Sequence, residues 1–190
     1  MFESFVKSYV KDLVDSLERL DINTLEKISL LISKAISNDK KIFMIGNGGS
    51  SATPSHSAGD FSKELKARTI CLSDNVPSLT AWGNDTSYDN IFKGQLETFL
   101  DEGDLVIGYS GSGNSVNVLN AIEFANSKGA HTIAITGNYM GKGGGKIIEI
   151  AKINLIFETK SMERIEDLQL IINHMIKESI KGNIVKQDKT

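Results

Sequence analysis

The sequence predicts an α/β protein, a parallel sheet of about five strands flanked by helices, with an N-terminal helical hairpin. Three observations predict it. Short apolar runs, "KIFMIG", "DLVIGYS", "HTIAIT" and "INLIFE", alternate with segments of helical periodicity, as strands of a covered parallel sheet do. Two of these runs lead into Gly/Ser-rich loops followed by helices, "GNGGSSATPSH" and "SGSGNSVNV". Two amphipathic segments come before any strand.

In chain order, Val6, Val10, Leu13, Leu17 and Leu20 recur at helical spacing. A second helix places Leu25, Ile28, Ile32 and Ala35 on one face, and Asn23 with Glu26 fits a cap at its start. This pair, residues 1–40, is either a cover for its own sheet or an oligomer interface. "KIFMIGNGGSS" is a strand and its loop, followed by a helix from about Pro54 to Leu65, with proline in the first turn. "RTICLS" is a second strand and "VPSLTAWGND" a short helix. Tyr88, Ile91, Phe92, Leu96 and Phe99 mark one further amphipathic helix. "DLVIGYSGSGNSVNVLNAIEFANSKG" repeats strand, loop and helix and stops at glycine. "HTIAIT" is a strand, "GNYMGKGGGK" a loop and "INLIFE" the last strand. A long helix runs from about Met162 to Ile180, with Ile165, Leu168, Ile172, Met175 and Ile176 on its apolar side. The tail, 182–190, is expected to fray. No linker or repeat divides residues 1–190.

The totals narrow the function. A chain of 190 residues, 40% hydrophobic and 24% charged, can bury a sizeable core in one domain. Its net charge is -3 and no basic patch stands out, so nucleic acid is a poor partner. Cys71 stands alone, which suits a reducing compartment. The N-terminus mixes charged and apolar residues, unlike a signal peptide, and no run approaches the roughly 20 apolar residues of a membrane span. The chain reads as soluble and cytoplasmic.

In a parallel sheet, ligands bind beyond the carboxyl ends of the strands, where helix N-termini attract anions. Gly46 to Ser51 is neither a dinucleotide fingerprint, because Ser51 replaces its third glycine, nor a Walker loop. "SGSGNS" offers Ser110, Ser112 and Ser115 around Gly111 and Gly113. One such loop is most simply a turn rich in good N-caps. The two together favour a terminal phosphate. His56 and Asp60 stand four apart on one helix face, as a zinc half-site or a base with its orienter would. On spacing alone a hydrogen-bonded pair is the better reading. His174, among apolar residues, reads alone as a core histidine, and His131 as structural or surface.

Four ordered blocks, "GNGGSSATPSHSAGDF", "AWGNDTSYDNIF", "GYSGSGNSVNVLNAIEFANSKG" and "RIEDLQLIINHMI", resemble the phosphoheptose isomerase branch of the sugar isomerase (SIS) domain proteins. The resemblance spans nearly the whole chain. It implies a homotetramer with sites at subunit contacts and conversion of sedoheptulose 7-phosphate to D-glycero-D-manno-heptose 7-phosphate for lipopolysaccharide or capsule. It also implies a bound zinc. By similarity, Asn47, Gly48, Gly49 and Ser50 lie on the first substrate loop, Asn84 and Asp85 match an Asn-Asp pair, and Ser110, Gly111, Ser112 and Ser115 match the phosphate loop. His56 and His174 match metal-binding histidines, with Asp60 and Glu166 completing the ligand set. Asp60 is the implied base, with His174 moving protons at the sugar oxygens.

Two positions depart from the pattern: Asp60 stands where the family has glutamate, and Glu166 where it has glutamine. The shorter carboxylate sits about 1 Å further back, a shift able to cost about a hundredfold. Two histidines and two carboxylates would make a formally neutral zinc site that polarises a carbonyl less. Glu166 and His174 are eight residues apart, about 12 Å along a helix. One ion reaches both only through long side chains, a helix break or a neighbouring subunit. Two other functions fit the same residues: a non-catalytic sugar-phosphate-binding or replication-initiator-associated adaptor, and an isomerase for another phosphorylated sugar. Metal content separates the adaptor from the enzyme.

Overall fold

Five parallel strands in the order β2-β1-β3-β4-β5 form the centre of the computed structural model, which describes the backbone of residues 1–187 and side chains through residue 182. They are β1 (Lys41–Gly46), β2 (Arg68–Cys71), β3 (Leu105–Ser110), β4 (His131–Gly137) and β5 (Ile153–Phe157). Their side chains alternate between two apolar cores. In β1, Ile42 and Met44 face one core while Phe43 and Ile45 face the other. β3, in the middle, is buried throughout.

The first core is covered by α1 (Phe2–Glu18), α2 (Ile22–Ser37), α3 (Gly49–Leu65) and α8 (Met162–Gln187). The second lies under α4 (Val76–Asp85), α5 (Lys93–Phe99), α6 (Val116–Ser127) and the single turn α7 (Ile147–Ile150). The N-terminal hairpin divides its roles. Ile28, Ile32 and Ala35 of α2 are buried on the sheet. α1 is tied to α8 by Arg164 Nε donating to Asp12 Oδ2 at 2.7 Å, yet it leaves Phe2, Phe5, Val6, Val10 and Val14 exposed.

Several boundaries differ from the expected ones. α2 is capped by Asp21, which accepts from Thr24 N at 3.1 Å, because the chain turns before Asn23. α3 starts at Gly49 and carries Pro54 inside it, leaving the Ser50 carbonyl without its helical partner. The segment from Tyr88 to Phe99 is broken into a 3₁₀ turn (Tyr88–Asn90) and α5, and at the break the consecutive Ile91 and Phe92 both turn inward. α8 continues past Ile180 to Gln187, and residues 188–190 of the expected tail lie outside the described residues. Among the described residues, no helix is long and apolar enough to cross a membrane.

Candidate active site

The strand order changes direction between β1 and β3, so a crevice opens beyond their carboxyl ends. Gly46 pairs with Tyr109, which places the loops beginning at Asn47 and Ser110 side by side. Asn47 and Asn117 exchange amide hydrogen bonds of 2.8 and 2.9 Å, and the Tyr88 hydroxyl donates to Asn47 Oδ1 at 3.0 Å. Beside them a cavity of about 360 Å³ is lined by Asn47, Gly48, Ser51, Thr80 and Tyr88. Asn84 and Asp85 close α4, joined to each other at 2.8 Å and exposed.

In the second loop, Ser110 Oγ accepts from Gly113 N at 3.1 Å, and Ser112 Oγ from Asn114 N at 3.3 Å. Ser115 is the N-cap residue of α6, so the free amides of that helix open into the loop. Gly113 has φ +64, and a side chain there would strike the Gly144 carbonyl. The glycine-rich loop after β4 therefore braces the serine loop from behind. Ile147 N donates to Gly113 O at 2.9 Å, and Lys146 N to Asn114 Oδ1 at 3.1 Å.

α3 and α8 descend side by side from the same end of the sheet. The Ser50 amide meets Glu166 at the top, Ser57 meets Asn173, Asp60 meets Lys177, and Glu64 meets Lys181. Between the second and third of these pairs, His56, Asp60 and His174 converge. The imidazole Nε2 atoms are 3.1 Å apart, and Asp60 Oδ2 lies 3.6 Å from His56 Nε2 and 3.9 Å from His174 Nε2. Tetrahedral zinc with bonds of about 2.0–2.2 Å holds its ligand atoms about 3.3–3.6 Å apart. Two imidazoles and a carboxylate at these separations fit such an ion with small adjustments, and leave a fourth position open. The hydrogen bond from Lys177 holds the Asp60 carboxyl below the usual carboxylate range, against burial; the two histidines add to the effect.

Glu166 stands apart from this cluster. α8 is unbroken between Glu166 and His174, so the two sit at different levels of one rod, about 12 Å apart. The Glu166 carboxylate instead lies at the first turn of α3, close enough that a side chain at Gly49 would collide with it, and the nearby Ser50 amide favours its charged form. Burial pushes its carboxyl upward, and neighbouring Glu163 and Asp167 push the same way. Within one chain the proposed four-ligand set is thus three ligands, and the second charged group beside Asp60 is the Lys177 ammonium. Burial, with help from Lys152 and Lys34, lowers the imidazole of His131, at the start of β4, below its ordinary value.

Between the two levels lies a buried triad: Tyr109 OH donates to Asn173 Oδ1 at 3.1 Å, and Asn173 Nδ2 donates to Ser57 Oγ at 2.7 Å. It fixes the rotation of α8 against β3 and α3. The sequence marks Tyr88 only as part of an amphipathic helix, and neither Asn117 nor Lys177 stands out in it as a site residue. The row His174, Lys177, Lys181 at spacings of three and four is the one signal that could have found the lysine.

A model of the SIS domain matches residues 7–137. Family model, crevice and loops together make the chain a member of the SIS domain family. It is 37% identical over 165 residues to a phosphoheptose isomerase of Aliarcobacter butzleri, covering 84% of this chain and 85% of that one. It is 36% identical over 192 residues to a phosphoheptose isomerase of Sulfurimonas denitrificans, covering 96% and 94%. The solved structure of phosphoheptose isomerase from Neisseria gonorrhoeae superposes with a TM-score of 0.89 at 28% identity, over 96% of this chain and all of the other. Within the SIS family, the chain belongs to the phosphoheptose isomerases.

Proposed function

We propose that this isomerase interconverts sedoheptulose 7-phosphate and D-glycero-D-manno-heptose 7-phosphate, using zinc held by His56, Asp60 and His174. The convergence of those three side chains, in a chain of this family, carries the reading. The phosphate sits on the hydroxyls and amides of Ser110, Gly111, Ser112 and Ser115 at the N-terminus of α6. Asn47, Gly48, Gly49 and Ser50, with Asn84, Asp85 and Glu166, take the sugar hydroxyls. Asp60 removes a proton from C1 of the ketose while His174 delivers one to O2, giving an enediol. A proton returned to C2 and one lost from O1 complete the aldose. Lys177 keeps Asp60 in the ionised form that a base requires. Bound zinc supplies a Lewis acid for charge developing on the sugar oxygens.

The active form is a homotetramer with sites at subunit contacts, in the cytoplasm, serving heptose synthesis for lipopolysaccharide or capsule. The exposed apolar row on α1 and the half-exposed histidines support an assembly that covers both. Light scattering tests it: a monomer at micromolar concentration overturns the assembly. Proton NMR with sedoheptulose 7-phosphate in heavy water tests the chemistry. The heptose aldose signal should grow in only with metal-replete protein, with deuterium at C2 reporting exchange of the base's proton with solvent. No product at high enzyme concentration rejects this substrate.

A further inference from the structure

The polar contacts between α3 and α8 continue beyond the proposed metal ligands. Lys177 stands one turn after His174 and is only 12% exposed. Its ammonium donates to Asp60 Oδ2 at 2.9 Å and to Glu64 Oε1 at 3.3 Å. Asp60 Oδ2 is also the oxygen that faces both imidazoles, at 3.6 and 3.9 Å. Glu64 is itself shared, accepting from Lys181 at 2.6 Å. One carboxylate oxygen thus meets an ammonium on one side and the open centre of the histidine pair on the other.

Given zinc on His56, Asp60 and His174, as proposed above, we propose that Lys177 is a positioning residue: it pins the short Asp60 carboxylate toward the imidazoles and keeps a second cation beside the metal. A carboxylate oxygen has two lone-pair directions, so one accepts from Lys177 while the other remains for a ligand bond. A hydrogen-bonded ligand is held in orientation before the metal arrives. The price is repulsion between two cations on one oxygen, which weakens metal binding. The gain is charge. Zinc with one carboxylate leaves the site one unit positive, and Lys177 adds another that Glu64, shared with Lys181, only partly offsets. A site expected to be neutral, with two carboxylates and dulled polarising power, is therefore positive. Lys177 trades metal affinity for a stronger pull on an oxyanion.

Zinc affinity, read by competition with a chromophoric chelator at fixed pH and ionic strength, tests this without reference to turnover. Lys177→Gln keeps an N–H donor and drops the charge, and should bind zinc about tenfold more tightly than the parent. Lys177→Arg keeps the charge and should stay within about threefold of the parent. Lys181→Gln, which removes an equal charge one contact further out, should change affinity by less than about twofold because exposed charges are screened. Unchanged or weaker binding in Lys177→Gln overturns the proposal, as does an equal gain in Lys177→Arg. If Lys177→Gln fails to fold by circular dichroism, the Arg variant against Lys177→Met gives the same contrast. A parent protein that takes up no zinc removes the metal site itself, and Lys177's role with it; that result is visible before any variant is made.

Discussion

At the ends of β1 and β3 the site is made of backbone amides, hydroxyls and carboxamides on loops. On the face of the sheet that α3 and α8 cover, it is made of ionisable side chains on those two helices. The first region owes its shape to glycine: Gly113 takes a positive φ against the Gly144 backbone. The second owes its shape to helix register, with His56 and Asp60 one turn apart on α3 and His174 facing them from α8. The contrast teaches a division of labour. A group recognised by its negative charge, such as the proposed phosphate, can be held by fixed dipoles, which do not titrate. Proton transfer needs groups that do titrate, and rigid helices keep them within bonding distance of one another.

If the two regions act separately, variants should split their effects. Asp60→Asn has the largest expected consequence. It removes the proposed base, and turnover should fall by about 10²–10⁴-fold while binding of the substrate, measured calorimetrically, persists. Gly113→Ala attacks the other region. The strain of a positive φ and the collision with Gly144 should lower kcat/KM by about 10–100-fold and leave zinc affinity at the parent value. A zinc affinity that moves with Gly113 would break the comparison, since it would show the loops and the helices to be one mechanical unit. Tyr109→Phe probes the buried triad between them. Loss of its hydroxyl leaves Asn173 short of a partner, about 1–2 kcal/mol, or a melting temperature lower by roughly 2–8 °C.

The smallest effect is the most informative about charge. Burial raises the Glu166 carboxyl in the folded chain above its unfolded value. A raised carboxyl opposes folding above both values, where it is ionised in both states, and stops opposing it below both, where it is protonated in both. Glu166→Gln keeps the shape of the side chain, removes its charge and should therefore stabilise the fold at pH 7. The gain should shrink as pH falls through the folded value and vanish once pH is well below the unfolded carboxyl's own value. A gain independent of pH would show that packing, not charge, governs this position. Asp60 has the opposite sign. Its lowered carboxyl contributes stability at neutral pH that disappears as pH falls through its folded value.

Much of this was legible in the sequence for a simple reason. Apolar runs of strand length between amphipathic segments can be buried on both sides in few ways, so the parallel sheet and its two loops followed from periodicity alone. The register between α3 and α8 was not legible. His56 and Asp60 share a helix face by spacing, but nothing local says that His174, far along the chain, lies 3.1 Å from His56. The family resemblance supplied that pairing where periodicity could not. Resemblance also hid Lys177, because attention to inherited ligand positions passes over a residue with no counterpart among them. The cap at Asp21 and the break before α5 escaped notice for the usual reason: ends are set by a few competing hydrogen bonds.

α8 meets Ser50 through Glu166 and Asp60 through Lys177 without a break. This turns the number of residues between Glu166 and His174 into a phase relation. Inserting or deleting one residue there would rotate everything beyond it by about 100°, swinging His174 and Lys177 away from α3 while Glu166 stayed in place. No adjustment of side chains could repair that. This interval can change in its letters but not in its count without parting His174 and Lys177 from α3.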